Sequence, residues 1–369
     1  MSENQTQNKI RICALMLDPF DTMPGQRFRL EQWEPYLEDE NISIDYFAFT
    51  DESLRKILYK EGHHAAKSFG MFRSIVRRLG HILKSSDYDA VYLYRTASMI
   101  GPAWLEKLLS FRKVPIIFDF DDAIFLENTS KANKRFGWAK FAGKTADICR
   151  LSTSVVVGNS YLAEYAEKYN DNVYIIPTSI DTTKYKPTQS KQNGRVIIGW
   201  TGSSTSQYHL EKFEPVLENI IKDLDVELRV ISDRKPDFKN LVSKWQPWSA
   251  ETEVEITSQF DIGIMPIPDD DWSKGKCAAK ALQYMALEIP AICSNVGANR
   301  DVISQGINGF LAETPEEWKD ALSKLVKDYT LRKQMGVEAR KTVVENYSMK
   351  KCAKLFAKAV NETLETGSY

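Results

Sequence analysis

The chain has no cysteine pair spaced CxxC, and its five cysteines (13, 149, 277, 293 and 352) are odd in number and far apart. This argues against a disulfide framework and a zinc site, and fits reduced thiols in a cytoplasmic protein. Histidine is equally scarce: positions 63, 64, 81 and 209 leave little scope for a His-rich metal centre. Neither sign of charge dominates. With 49 Lys and Arg against 50 Asp and Glu, the net charge is −1, so no nucleic-acid partner is expected. No apolar run reaches the roughly 18 residues of a membrane-spanning helix, and the polar start Ser2–Asn8 holds no signal-peptide core. There is no internal repeat and no low-complexity tract. What remains is a globular composition, 369 residues with 43% hydrophobic and 27% charged, enough for two domains of ordinary size.

Short apolar runs alternate with amphipathic stretches. Ile10–Leu17, Ile42–Phe49, Ala90–Tyr94, Ile116–Phe118, Val155–Val157 and Val173–Ile176 read as buried strands. Arg27–Glu38, Phe72–Lys84, Ala103–Phe111, Ala132–Leu151 and Tyr161–Tyr169 read as the helices between them. The polar, Pro- and Gly-punctuated stretch Asp181–Gly194 then breaks the pattern like a linker. Alternation restarts with strands at Val196–Trp200, Glu227–Ile231, Ile262–Met265, Ala291–Cys293 and Gly309–Ala312. Helices are expected at Leu210–Leu224, Ala278–Leu287, Pro315–Asp328 and Leu331–Asn346, and a last one at about Met349–Glu365. Such alternation implies parallel sheets covered by helices on both faces, with ligands at the carboxyl ends of the strands.

The richest segment is Phe260–Ala312, FDIGIMPIPDDDWSKGKCAAKALQYMALEIPAICSNVGANRDVISQGINGFLA. A buried strand ends in a Pro-bracketed acidic loop, and Ser273-Lys274-Gly275-Lys276 opens a helix whose free N–H groups and dipole favour a phosphate. Lys276 and Lys280, four apart, would share a helix face and neutralise a diphosphate without a metal. An isolated KGK run also reads as a solvated helix start. Here the rest of the helix is apolar and follows a buried strand, which favours a ligand.

This segment closely resembles the nucleotide-sugar site of family 4 glycosyltransferases, which have the two-domain GT-B fold. FDIGIMP, the acidic loop, GKCAAKALQYMALEIPAI, SNVGANRDVI and GINGFLA carry the resemblance in order. PGQRFRLEQWEPYL (24–37), IIFDFDDAIF (116–125), VVGNSYLAEYA (156–166), IIPTSIDTTKY (175–185) and IGWTGSSTSQYHL (198–210) extend it over nearly the whole chain. It implies an α/β GT-B protein: two doubly wound Rossmann-like domains facing a central cleft. The first spans 1–183, with the helix 349–369 packed back on it, and holds the acceptor; the second, 184–348, holds the nucleotide sugar. The implied activity is retaining sugar transfer from a nucleotide-diphosphate sugar, the co-substrate, with no cofactor and no metal. The acceptor is a saccharide or lipid-linked saccharide, as in polysaccharide or O-antigen synthesis.

On that resemblance Lys276, Lys280 and Asp121 are the catalytic candidates, Asp121 standing where many relatives carry a His beside the donor sugar. Gly199, Gly202, Ser203, Asp270, Gly275, Cys277, Ala278, Gln283 and Arg300 line the donor and nucleotide. The chain departs from the family at two positions where many members carry Glu, here Gly275 and Gln283. Gln283 can still hydrogen-bond ribose hydroxyls, more weakly than a carboxylate. Recognition of the donor hydroxyl shifts to Asp270 or Asp271. The loop after the first strand of the second domain lacks the usual Arg and Lys, so Lys276, Lys280 and Arg300 supply the positive charge. Two rival readings follow: a GT-B sugar-nucleotide epimerase, and a nucleotide-sugar-binding protein that has lost activity.

In the first domain Gly25-Gln26-Arg27 follows a strand and opens a helix, so its backbone can approach a ligand. Arg95 ends another strand and, with Asp122, joins the cleft set. Asp119, Asp121 and Asp122 together repel one another and need a functional reason or a cation. Finally, Ser68–Ser86 sets Phe69, Phe72, Ile75, Val76, Leu79 and Ile82 at helical spacing among Arg73, Arg77, Arg78, His81 and Lys84, without an acid. Together with the basic, aromatic Ser130–Lys144 it reads as a peripheral contact of 68–86 and 130–144 with the anionic inner face of a membrane. It reads equally as a core helix with a basic solvent face.

Overall fold

All eleven expected strands form, because runs of Ile, Val and Tyr buried on both faces suit a parallel sheet covered by helices. The computed structural model describes residues 9–58, 60–126, 141, 143–187 and 194–367. In the first unit β1 (Ile10–Met16), β2 (Ile42–Ala48), β3 (Ala90–Tyr94), β4 (Ile116–Phe120), β5 (Ser154–Val157) and β6 (Val173–Ile175) make one sheet in the order β2-β1-β3-β4-β5-β6. In the second, β7 (Val196–Thr201), β8 (Val226–Ser232), β9 (Lys244–Pro247), β10 (Ile262–Met265), β11 (Ala291–Ser294) and β12 (Gly309–Ala312) pair as β12-β11-β10-β7-β8-β9. Every pairing is parallel. β9 was not expected, since Lys244–Pro247 is a polar edge strand with no buried residue.

The first unit runs to Pro177 and takes the chain up again from Lys350; the second is Thr178–Met349. The division falls before the expected 183/184 because the start of the linker packs into the second unit. Ile180 and Tyr185 sit in its core, and Ile180 N donates to Tyr347 O at 2.8 Å. The last helix, Met349–Thr366, fills the core of the first unit. Phe356 packs against Trp33 and Tyr92 with ring centroids 5.7 and 5.5 Å away, and Thr363 meets Ser154 at 2.7 Å.

Several helices differ from their sequence outlines. Arg27–Glu38 is broken into Pro24–Arg29, a 3-10 turn Glu31–Trp33, and Glu34–Glu38, with Leu30 at φ −151° between the first two. The helix expected from residue 72 begins at His64 and runs to Lys84. Lys144–Leu151 is the described part of Ala132–Leu151; residues 132–140 and 142 lie outside the described residues. Among the described residues no helix is long and apolar enough to cross a membrane.

Each sheet has one point where strand order reverses, between β1 and β3 in the first unit and between β7 and β10 in the second. Loops leaving the carboxyl ends of such neighbours diverge and open a ligand crevice. Both candidate clusters stand there.

Candidate active site

In the second unit the crevice is framed by the turn after β7 and the segment after β10. Gly202 ends the first. A Cβ there would lie 2.5 Å from the Trp200 ring, 2.7 Å from Lys280 Cε and 2.8 Å from Ser206 Oγ, so only glycine admits this approach. The acidic loop after β10 leads into a short helix, Asp271–Lys274, whose N-cap Asp270 accepts from Ser273 N at 2.7 Å. The main helix opens only at Ala279, as Ala279–Ala286, with Ala278 before it in the left-handed region at φ +53°. Lys276 therefore lies in the break rather than on a shared helix face with Lys280, a correction to the sequence outline. Left-handed backbone at a buried non-glycine residue is strained and concentrates at functional sites.

Lys280 is the centre of this crevice. It is half-buried, with Nζ 5.5 Å from the centroid of the Trp200 ring. Among the described residues no carboxylate pairs with it, and burial with the nearby Lys276 charge brings its pKa down to about 8. Lys276 Nζ stands 5.6 Å from the Trp272 ring. His209, 5% exposed, lies tilted against Tyr208 with ring centroids 3.8 Å apart and keeps a buried, unpartnered Nδ1. Burial, then Lys276 and Lys280, hold its pKa near 4, so the imidazole is neutral at pH 7. Asp270 acts electrostatically on both His209 and Tyr208. Two lysines, a neutral imidazole and the first-turn N–H groups of Ala279–Ala286 gather donors at one end of the crevice, with Asp270 as the nearby carboxylate.

The other sequence candidates have varied surroundings. Gly199 lies inside β7, where a Cβ would overlap the Phe260 ring at 1.9 Å; it serves packing, not ligand approach. Ser203 precedes the helix Ser204–Ile221 and its hydroxyl meets Thr205 at 2.7 Å, while Asp233 accepts from Ser204 N and, at 2.8 Å, from its hydroxyl. Gln283 is 9% exposed and donates to the Tyr185 hydroxyl at 3.0 Å and to Glu253 Oε1 at 3.1 Å, so its amide nitrogen holds the linker instead of a ribose. Arg300 folds onto its own loop, donating to Asn295 O at 3.0 and 2.7 Å. Asp271 lies exposed beside Lys274, and Cys277 Sγ lies 3.9 Å from the Gly275 carbonyl. Gly275 is itself buried. The residues missed by sequence reading are Trp200 as a platform for Lys280, and His209, whose only signal was its rarity.

The first unit builds a separate cluster. A Cβ on Gly25 would lie 2.2 Å from Tyr94 Oη and 3.4 Å from Asp121, so this glycine touches the reversal point directly. The three acids are not a bare repelling group. Asp119 is fully buried in a two-bond pair with Arg29 at 3.0 and 2.8 Å, and burial pushes its carboxyl up to about 6 against the pull of that guanidinium. Asp121 accepts from Tyr94 Oη at 3.0 Å and from Arg95 at 3.1 and 2.7 Å. Burial raises it, but Arg95 and Arg29 outweigh burial and hold the carboxyl below its ordinary value. Arg95, left-handed at φ +62°, also pairs with Asp122. Two arginines thus balance the three acids. Gln26 is a loop strut: 1% exposed, it binds Leu17 N, Asp18 N and Asp18 O between 2.9 and 3.1 Å. Arg27 pairs with Asp21 at 3.0 Å.

Comparison with known proteins matches the region around this crevice to a family and the whole chain to a fold. Residues 195–328, which include the whole lysine crevice, match the family Glycosyl transferases group 1. A probable sucrose-phosphate synthase of Thermosipho melanesiensis is 23% identical over 66% of this chain and 61% of its own length. An uncharacterized glycosyltransferase of Methanocaldococcus jannaschii is 25% identical over 89% of this chain and 92% of its own. Among solved structures, a glycosyltransferase from Rickettsia africae aligns with TM-score 0.66 at 16% identity, covering 97% of this chain and 99% of that one. Anabaena HepE in complex with UDP and glucose aligns with TM-score 0.64 at 12% identity, covering 96% of this chain and 100% of that one. The parallel sheets and the solved structures give the chain the GT-B fold, and residues 195–328 match the Glycosyl transferases group 1 family.

Proposed function

We propose that the protein transfers a sugar, with retention of anomeric configuration, from a nucleotide-diphosphate sugar to a hydroxyl of a saccharide or lipid-linked saccharide. The observation that carries this reading is Lys280: a half-buried ammonium with no carboxylate partner among the described residues, at the strand-order reversal of the group 1 region. A buried cation left without an anion is costly unless a ligand supplies one. A diphosphate supplies it. HepE, similar in fold, is a UDP-glucose-binding protein in its own crystals, which supports the same ligand class here.

In transfer, negative charge grows on the leaving diphosphate while the sugar becomes oxocarbenium-like. Lys280, Lys276 and the N–H groups opening Ala279–Ala286 stabilise that charge from fixed positions. No protein nucleophile is required; the acceptor hydroxyl passes its proton to the departing phosphate. With the lysines opposing the diphosphate charge, turnover is expected without a divalent metal. Asp270 is the carboxylate left for the donor sugar, since Gly275 carries no side chain and Asp271 lies exposed beside Lys274. In the first unit the cluster of Gly25, Tyr94, Arg95 and Asp121 is the acceptor-side candidate.

The test is incubation of the purified chain with a panel of nucleotide-diphosphate sugars and saccharide acceptors, with and without EDTA. Sugar transfer with release of nucleoside diphosphate, unaffected by EDTA, is the expected result. A free sugar epimer would assign an epimerase, and donor binding without turnover an inactive binding protein. Loss of activity in EDTA, restored by magnesium or manganese, would overturn metal independence.

A further inference from the structure

The helix His64–Lys84 presents Phe69, Phe72, Val76 and Leu83 to solvent, exposed by 70, 65, 52 and 64%. Their spacing is helical, so they form one stripe. The fold turns Arg77 and Arg78 of this helix inward instead. Arg78 is fully buried and donates to the carbonyls of Met16, Phe47 and Ala97, the last two at 3.0 and 3.1 Å. Arg77 reaches Phe49 O and Asp51. Rolling the helix to hide its phenylalanines would strip a buried guanidinium of these partners, a change that costs more than the rings would gain.

A second helix, Trp104–Ser110, packs beside it and extends the patch with Trp104 and Leu108, 41 and 38% exposed, and with Phe111 just beyond, 69% exposed. Arg112 donates to Leu83 O at 3.3 Å and joins the two helix ends, with exposed Leu83 and Phe111 at the junction. A contiguous apolar surface of this kind marks an interaction site. Charge selects the partner. His64–Lys84 contains no Asp or Glu, and the one acid of Trp104–Ser110, Glu106, is 1% exposed and bonded to Thr96, Ala97 and Lys144. Lys84, Lys107 and Lys113 stand exposed on these helices or just beyond them, and Arg73, also exposed, lies 3.8 Å from Asp51. Aromatic side chains ringed by cations suit the headgroup zone of an anionic bilayer.

We propose that this surface docks the first unit on a membrane containing anionic lipid, with the rings entering the headgroup region and the cations against the phosphates. The docking is independent of the donor chemistry above. It keeps the contact expected of 68–86, with its phenylalanines at the headgroups, but with Arg77 and Arg78 turned into the fold; of 130–144, Lys144 is buried against Glu106, and residues 130–140 and 142 lie outside the described residues.

Flotation of the full chain with phosphatidylcholine vesicles, with and without phosphatidylglycerol, tests this. Binding is expected only with phosphatidylglycerol and weakens as salt rises. Phe69→Ser/Phe72→Ser should lose binding at an unchanged melting temperature, because both rings are already exposed. Lys84→Ala and Lys107→Ala should each weaken it about fivefold. No binding at low ionic strength, equal binding to neutral vesicles, or full binding by the double Phe variant overturns the proposal. So does self-association of the wild-type chain that the double Phe variant abolishes while no vesicle is bound, which would give the face to a second copy.

Discussion

Lys280 sets the electrostatics of the second unit. Burial, with Lys276 beside it, lowers its pKa from 10.5 to about 8. For a base whose folded pKa is depressed, the unfolded chain binds the proton more tightly. The destabilising effect is full below about pH 8 and fades as pH rises towards 10.5. A diphosphate reverses this, because its charge draws the proton back. Just above pH 8, binding of uridine diphosphate should therefore take up a proton, seen as a calorimetric enthalpy that varies with the buffer's ionisation enthalpy. Lys280→Met should abolish that variation and weaken binding by about 1.5–3 kcal/mol. A buffer-independent enthalpy in the unaltered chain would remove Lys280 from contact with the ligand. Residue types in this region were legible from sequence; their directions were not. Gln283 looked like a ribose ligand until Glu253, 30 residues away, and Tyr185, 98 away, were seen to hold its amide.

Two short elements place these side chains. The turn after β7 brings Gly202 against Trp200 and Lys280 at distances that leave no room for a methyl group. Gly202→Ala should push the Trp200 ring and the Lys280 stem aside and lower donor affinity roughly ten- to a hundredfold, the scale expected when a binding group moves by about an ångström. Because the Trp200 ring is fully buried, the same clash should cost about 1–3 kcal/mol of stability; wild-type affinity in this variant would show that the turn does not shape the site. The second element is the break between Asp271–Lys274 and Ala279–Ala286. Apolar periodicity reads it as one continuous helix start. Tertiary packing breaks it: a Cβ on Gly297 would lie 2.6 Å from Lys274 O, so the loop after β11 presses on the end of the short helix. The chain restarts through a left-handed Ala278, and that restart gives Lys280 a helix N-terminus to sit on.

Across the whole molecule, the first unit is completed by the end of the chain. Phe356 of the last helix is fully buried between Trp33 and Tyr92. Phe356→Ala should cost about 3–5 kcal/mol and lower the midpoint of thermal unfolding; an unchanged midpoint would mean that the helix is not part of that core. The sequence by itself determined the architecture. Eleven strands, their alternation with helices and the restart after a polar linker follow from local periodicity, since a run buried on both faces admits few alternatives. It also marked the crevice, because Lys276, Lys280 and Gly202 stand at strand ends where a parallel sheet opens. Only tertiary structure decided which face of His64–Lys84 is buried, since the carbonyls that hold Arg78 belong to Met16, Phe47 and Ala97. It alone showed that Asp119 is balanced by Arg29, 90 residues earlier, and Asp121 by Arg95. Periodicity is a property of neighbours along the chain, whereas the partner that satisfies a buried charge arrives from another element, and no local pattern records its approach.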